Sequence, residues 1–153
     1  MGNLAIIQDE HQNRLETKLK RELGDQILGA LRDDRTEDIL LNPDGFLWVK
    51  RMGEGFTRAG EIPAPQAASA LSTIAAWRGT VLNHDHPILE TELPIDGSRF
   101  EGIVSPVVRH PVFAIRLRPR RIFQLDEYEA AGLQLAKPKL VYSSRRRGAR
   151  SKW

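Results

Sequence analysis

Hydrophobic residues recur at intervals of four between residues 15 and 31 of the chain. The positions that follow this spacing are Leu15, Leu19, Leu23, Ile27 and Leu31. Side chains four residues apart share one side of an α-helix, so the pattern predicts an amphipathic helix over residues 9–33. Gly24 interrupts the run and predicts a break, because glycine in a helix interior costs about 1 kcal/mol relative to alanine.

Short β-like runs follow in two groups of three. They cover residues 39–41, 46–49, 56–59, 88–93, 98–104 and 112–118. The turn sequence Asn-Pro-Asp-Gly at 42–45 predicts a hairpin between the first two runs, because Pro fixes φ and Gly tolerates a positive φ. Asp96-Gly97 is a strong hairpin signal within the second group. Between the two groups, Pro65 begins a helix that ends near Gly79.

The order of elements is therefore helix, three strands, helix, three strands, followed by a short helix over 125–131. This order predicts an α+β fold with a single sheet of about six strands, antiparallel or mixed. The helices are expected to pack on one face of the sheet, and one of them is the N-terminal helix.

Strand periodicity places three arginines on one side of this sheet. In residues 112–118 the odd positions are apolar, so Arg116 and Arg118 lie on the opposite face. In residues 98–104, Phe100 and Val104 share one face, so Arg99 also lies opposite the apolar face. Guanidinium groups on neighbouring strands suit a phosphate, because each offers a planar fork of donors and stays charged. The alternative is that Arg99 or Arg116 pairs with an acidic neighbour, namely Glu90, Glu92 or Glu101.

Positive charge is concentrated near the C-terminus. Residues 137–153 contain seven lysines and arginines and no acid, whereas the other 136 residues contain sixteen basic and twenty acidic side chains. We therefore predict a folded, mildly acidic domain over 1–133 and a basic tail over 134–153 that is disordered in solution. Such a tail binds nucleic-acid phosphates without sequence preference.

Several kinds of chemistry have no support in the sequence, and we predict no catalytic or metal-binding residue. There is no cysteine, no G-x-x-x-x-G-K-[ST] motif and no Gly-Lys dipeptide, so the loop that holds nucleotide phosphates is missing from these 153 residues. His84 and His86 are interpreted as part of a polar surface loop rather than a metal site. The acidic cluster before the first strand is interpreted as helix-end and turn chemistry, and its members are Asp33, Asp34, Glu37 and Asp38.

Three ordered motifs resemble the N-terminal domain of TrbB-type conjugal-transfer ATPases, a branch of the type II and type IV secretion ATPases. They are Leu-Asn-Pro-Asp-Gly at 41–45, Glu-Leu-Pro-Ile-Asp-Gly-Ser-Arg-Phe-Glu-Gly at 92–102 and Phe-Ala-Ile-Arg at 113–116. The resemblance covers residues 13–133 and implies a PAS-like fold. It also implies that Arg99 and Arg116 approach the terminal phosphate of a nucleotide, and that Arg118 occupies a commonly basic position beside them.

The resemblance further implies the setting in which this domain works. The full-length family uses ATP and Mg²⁺, and this chain alone is expected to bind neither tightly and to be inactive in hydrolysis. The implied assembly is a homohexamer in the cytoplasm, peripheral to the bacterial inner membrane, in contact with other conjugative-channel components. The composition changes after Gly132, and we interpret this change as the result of a frameshifted or prematurely ended reading frame. A natural basic tail is the alternative.

Two other functions remain open from the sequence. The first is a small basic nucleic-acid-binding protein that acts through its C-terminal tail. Its binding should disappear when residues 137–153 are deleted and should fall steeply with salt. The second is a PAS-like ligand sensor, which requires a pocket that the sequence does not reveal.

Overall fold

Two helices and six strands make up residues 2–119, which are the residues that the computed structural model of this chain describes. In chain order they are α1 (Gly2–Arg32), β1 (Thr36–Leu41), β2 (Phe46–Arg51), β3 (Phe56–Glu61), α2 (Ala64–Trp77), β4 (Ile88–Glu92), β5 (Arg99–Ile103) and β6 (Val112–Arg116). This order confirms the predicted α+β arrangement. The short helix predicted over 125–131 and the tail predicted over 134–153 lie outside the described residues.

The six strands form one sheet in the order β3-β2-β1-β6-β5-β4, and every neighbouring pair is antiparallel. Each group of three consecutive strands forms a meander, and the pairing of β1 with β6 joins the two groups at the centre. Gly45 and Gly97 have φ values of 85° and 74° in the two predicted hairpin turns. These values lie in the left-handed region that glycine adopts without steric cost, which explains why the turns form there.

Helix α1 is longer than the periodicity predicts, and it is interrupted where a break was expected. It begins at Gly2, and the first two turns expose Leu4, Ile6 and Ile7 to solvent. Gly24 has the non-helical angles φ 77° and ψ 168°. Beside this break, the main-chain oxygen of Glu22 accepts a hydrogen bond from the side-chain amide of Gln66 in α2 at 2.6 Å. Neither α1 nor α2 is long and apolar enough to cross a lipid bilayer.

Both helices pack on one face of the sheet and form the core with it. The sheet contributes buried side chains from alternating positions, including Ile39, Leu41, Leu47, Val49, Phe100, Phe113 and Ile115. The helices contribute buried residues that include Leu19, Leu23, Ile27, Leu31, Leu71 and Ile74. Each such side chain contributes about 1.5–3 kcal/mol when fully buried. Within residues 2–119 no helix covers the opposite face of the sheet, which we call the open face.

Glu22 links α1 to α2 through polar contacts. Its carboxylate accepts hydrogen bonds from Thr73 Oγ1 at 2.7 Å and from Ser69 Oγ, and it forms an ion pair with Lys18 Nζ at 3.2 Å. Burial raises the pKa of this carboxyl group. The hydrogen bonds from Ser69, Thr73 and Lys18 together outweigh burial, so the pKa of Glu22 lies below its ordinary value.

Replacing Glu22 by Gln is expected to reduce the free energy of unfolding by about 1 kcal/mol at neutral pH. Because the folded-state pKa is lower than the unfolded-state value, the ionised carboxylate stabilises the fold above the unfolded pKa and loses this contribution as the pH falls through the folded pKa. The stability difference between wild type and E22Q should therefore shrink below about pH 4. Urea unfolding between pH 7 and pH 3 measures it.

The matched control for E22Q is E16Q. Glu16 forms the same kind of i,i+4 ion pair, with Lys20, but its side chain is 30% exposed, compared with 12% for Glu22. Exposed pairs of this kind contribute about 0.5 kcal/mol or less, so E16Q should have a small effect. A difference between wild type and E22Q that is the same at pH 3 and pH 7 would contradict the assigned role of the carboxylate.

Candidate functional site

The structure confirms the faces predicted for the last two strands. Phe100 in β5 and Ile115 in β6 are buried under the helices, while Arg99 and Arg116 are exposed on the open face. Arg118, two residues beyond Arg116, is also exposed. Strand alternation produces this separation, because successive side chains point to opposite sides of a sheet.

Strand register brings the arginines of β5 and β6 into direct opposition. Arg99 and Arg116 are cross-strand partners in the pairing of β5 with β6. These two arginines belong to a row of paired residues that crosses the open face. From β2 through β1, β6 and β5 to β4, the row consists of Lys50, Asp38, Arg116, Arg99 and Glu92. Directly opposed side chains have Cβ atoms about 4.5–5.5 Å apart, and like charges at that distance destabilise the sheet. The opposed guanidinium charges of Arg99 and Arg116 therefore repel each other unless a negative group lies beside them.

Carboxylates bind two of the three predicted arginines. Asp38 Oδ1 accepts a hydrogen bond from Arg116 Nε at 3.0 Å. This hydrogen bond, followed by charge attraction, raises the pKa of the Arg116 guanidinium further above its already high ordinary value. Arg118 forms an ion pair with Glu92. The alternative raised from the sequence, in which Arg99 or Arg116 pairs with an acidic neighbour, therefore holds for Arg116, but with Asp38 in place of the three expected glutamates.

Arg99 differs from the other two arginines. Its side chain has no hydrogen bond or ion pair with any other described residue between 4 and 119. Its cross-strand neighbour on the other side is Glu92, but that carboxylate binds Arg118. Arg99 therefore keeps all five of its N–H donors available to a ligand.

A cleft of 830 Å³ lies where these arginines meet. Its lining includes Arg99, Arg116 and Arg118, together with Arg78, Glu90, Glu92 and Glu101. A neighbouring hollow of 350 Å³ shares Arg99, Glu101 and Arg116 with it and reaches Asp38 and Phe56. The three predicted arginines thus border one cleft, which also reaches the buried residues Phe100 and Leu117 and Arg78 at the end of α2. The hollow beside it extends from Arg99 and Arg116 over the open face.

Asp38 is the residue of this region that the sequence interpretation missed. The acidic cluster was assigned to helix-end and turn chemistry, and Asp33 fits that role because its carboxylate accepts hydrogen bonds from the main chain of Arg35 and from Arg51. These bonds, with that from Arg51 the largest contribution, lower the pKa of Asp33. Asp38 instead lies within β1 and binds Arg116 on the open face. The available signal was strand alternation: Asp38 directly precedes the buried Ile39, so its side chain points to the opposite face of the sheet.

Sequence comparison identifies relatives that align with about three quarters of this chain. The chain is 42% identical over 120 residues to the probable conjugal transfer protein TrbB of Sinorhizobium fredii (strain NBRC 101917 / NGR234). It is 41% identical over 115 residues to the conjugal transfer protein TrbB of Rhizobium radiobacter. The chain is a TrbB-type N-terminal domain. The matches cover 78% and 75% of this TrbB-type domain, which spans only 37% and 36% of the two relatives.

Structure comparison gives the same fold. The VirB11 ATPase from the Brucella suis type IV secretion system, solved in complex with sulphate, superposes on this TrbB-type domain with a TM-score of 0.71. The match covers 86% of the chain and 40% of the VirB11 chain, at 15% sequence identity. At that identity the comparison establishes the fold alone. No protein-family model matches the chain.

Proposed function

We propose that the open face of this TrbB-type domain contacts the terminal phosphate of ATP in the full-length protein. Arg99 and Arg116 are the contacting residues, and Arg118 lies at the edge of the same site. The observation that carries this proposal is that Arg99 lies directly opposite Arg116 and has no side-chain partner among residues 4–119. A phosphate between the two guanidiniums would convert their mutual repulsion into charge-assisted hydrogen bonds.

The other parts of the nucleotide site belong to a motor domain in the full-length protein. These 153 residues contain no phosphate-binding loop, so the loop, its lysine and the group that holds Mg²⁺ must come from elsewhere. The similarity to TrbB proteins and to a VirB11 ATPase supports this division. In such a site the arginines stabilise charge that develops on the transferred phosphoryl group, and the domain alone hydrolyses no ATP.

The assembly and location follow from the same proposal. A homohexamer is the proposed assembly, in which this domain contacts its neighbours and other components of a conjugative channel. The proposed location is the cytoplasm, peripheral to the bacterial inner membrane. Support comes from the named roles of the relatives in conjugal transfer and of VirB11 in a type IV secretion system.

The basic segment 137–153 supports a second candidate function, which is non-specific binding of nucleic acids. Its seven positive charges and lack of acids would attract a phosphate backbone. The two functions are separable, because deleting this segment leaves Arg99 and Arg116 in place. Nucleic-acid binding that survives the deletion would favour the folded domain as the binding element instead.

Binding of tripolyphosphate to the 153-residue chain tests the phosphate proposal. This probe carries phosphates without a base or ribose, and NMR shifts of the β5 and β6 amides report on the open face independently of the basic segment. Replacing Arg99 by Ala is expected to weaken the binding seen at these amides about tenfold, because a fork of charge-assisted hydrogen bonds is lost.

The matched control is R109A, which removes the same charge. Arg109 is exposed in the loop before β6, at the opposite end of that strand from Arg116. We expect R109A to change the affinity less than about twofold, since exposed charges at a distance are screened by salt. If R99A and R109A weaken tripolyphosphate binding equally, the binding arises from general charge attraction, and the proposed site is contradicted.

A further inference from the structure

Asp38 and Arg116 form an unequal pair on the open face. The Asp38 side chain is 17% exposed, whereas the Arg116 side chain is 76% exposed. The two residues are cross-strand partners in β1 and β6, at the centre of the sheet. The Asp38 carboxylate is therefore held in place by its surroundings, and it can restrict the motion of the long, exposed Arg116 side chain.

The hydrogen bond between them uses the inner part of the guanidinium. Asp38 Oδ1 accepts from Nε of Arg116, and residues 4–119 offer no other hydrogen bond to this side chain. An arginine has five N–H donors, so the four on the terminal nitrogens remain available. Arg118 shows the opposite arrangement, because a terminal nitrogen of its guanidinium binds Glu92.

We propose that Asp38 is a positioning residue, which fixes Arg116 so that its terminal nitrogens face the phosphate site beside Arg99. This inference rests on the proposed phosphate-contacting function of the open face. Long side chains lose rotamer freedom when they bind a ligand, and a side chain already held in place loses less of it. Asp38 would thus strengthen anion binding although it carries a negative charge itself.

This role predicts an effect opposite in sign to simple electrostatics. If Asp38 acted only through its charge, it would repel the anion, and removing it would raise the affinity. If Asp38 positions Arg116, removing it lowers the affinity. The sign of the change therefore distinguishes the two descriptions without reference to its size.

Two substitutions at Asp38 grade the effect. D38A removes both the charge and the acceptor, and D38N removes the charge but keeps an oxygen that can accept from Arg116 Nε. In the 153-residue chain we expect D38A to weaken tripolyphosphate binding at the β5 and β6 amides about fivefold, and D38N to weaken it less. If D38A fails to fold, the D38N variant alone still shows whether the affinity falls or rises.

The charge-matched control is E101Q. Glu101 lies on the same face in β5 and, within the described part of the chain, has no ion pair or hydrogen bond through its side chain. Because Glu101 lines the cleft and holds no arginine among residues 4–119, removing its charge removes only repulsion and is expected to raise tripolyphosphate affinity, the opposite sign to D38A. A second readout is the Nε–H resonance of Arg116, which should be protected from solvent exchange in wild type and lose that protection in D38A.

The outcomes separate this inference from the function on which it rests. If tripolyphosphate leaves the β5 and β6 amides of wild type unshifted, the phosphate function is wrong, and the role of Asp38 falls with it. If wild type binds and D38A binds as tightly or more tightly, the phosphate function stands and only the positioning role is overturned. Weaker binding by D38A, with the loss of Arg116 protection, supports both.

Discussion

Replacing Arg99 by Ala is expected to lower ATP turnover about a hundredfold in a full-length protein that carries this domain. A suitable protein joins residues 1–133 to the remainder of the Sinorhizobium fredii TrbB relative, which is 42% identical over 120 residues. The loss is large because the arginine is proposed to stabilise negative charge that builds up on the transferred phosphoryl group. Steady-state release of phosphate measures it, and kcat should fall more than KM rises.

Folding should be preserved in this variant, because Arg99 is exposed and has no partner among residues 4–119. R116A should have an effect of similar direction, and R116K should restore little, since a lysine keeps the charge but lacks the planar fork. R109A serves as the control for loss of one positive charge. Turnover that is unchanged in both R99A and R116A would remove the two arginines from the nucleotide site.

Local patterns were sufficient to predict the elements and the faces of the strands. Alternation along β5 and β6 placed Arg99 and Arg116 on the side opposite the core, and the turn sequences at 42–45 and 96–97 marked the hairpins. These features depend on neighbouring residues alone, so a single sequence contains them. The start of α1 was not predictable in this way, because its first turns expose their apolar residues and show no buried stripe.

The contacts that organise the site depend on pairing between distant strands. Asp38 and Arg116 are 78 positions apart in the chain and meet only because β1 pairs with β6. The direct opposition of Arg99 and Arg116 similarly requires the register of β5 on β6, which a shift of one residue would remove. Neither the strand order nor the register is encoded in a local pattern. The sequence therefore predicted which residues could form a site but not how they are paired.

Replacing Gly102 by Ala adds only one methyl group but should strongly destabilise the fold. It lies in β5 on the buried face, where a Cβ atom would come 2.0 Å from Cδ2 of Leu71 and 3.0 Å from Cε1 of Phe100. Leu71 is fully buried in α2, so its side chain can move away only by displacing its close-packed core neighbours. G102A is therefore expected to reduce the free energy of unfolding by about 3 kcal/mol, as measured by urea denaturation.

A double-mutant cycle shows whether the contact with Leu71 causes this loss. L71A alone should cost about 2–5 kcal/mol, because it leaves a cavity between α2 and the sheet. In G102A/L71A the new methyl group occupies part of that cavity, so the combined loss should be smaller than the sum by about 1–2 kcal/mol. G55A is the matched control, since no atom lies within 4 Å of a Cβ at that position. If the two losses are additive, Leu71 does not pack against Gly102, and the described packing of α2 on β5 is wrong. The strand that carries Arg99 would then be held by other contacts.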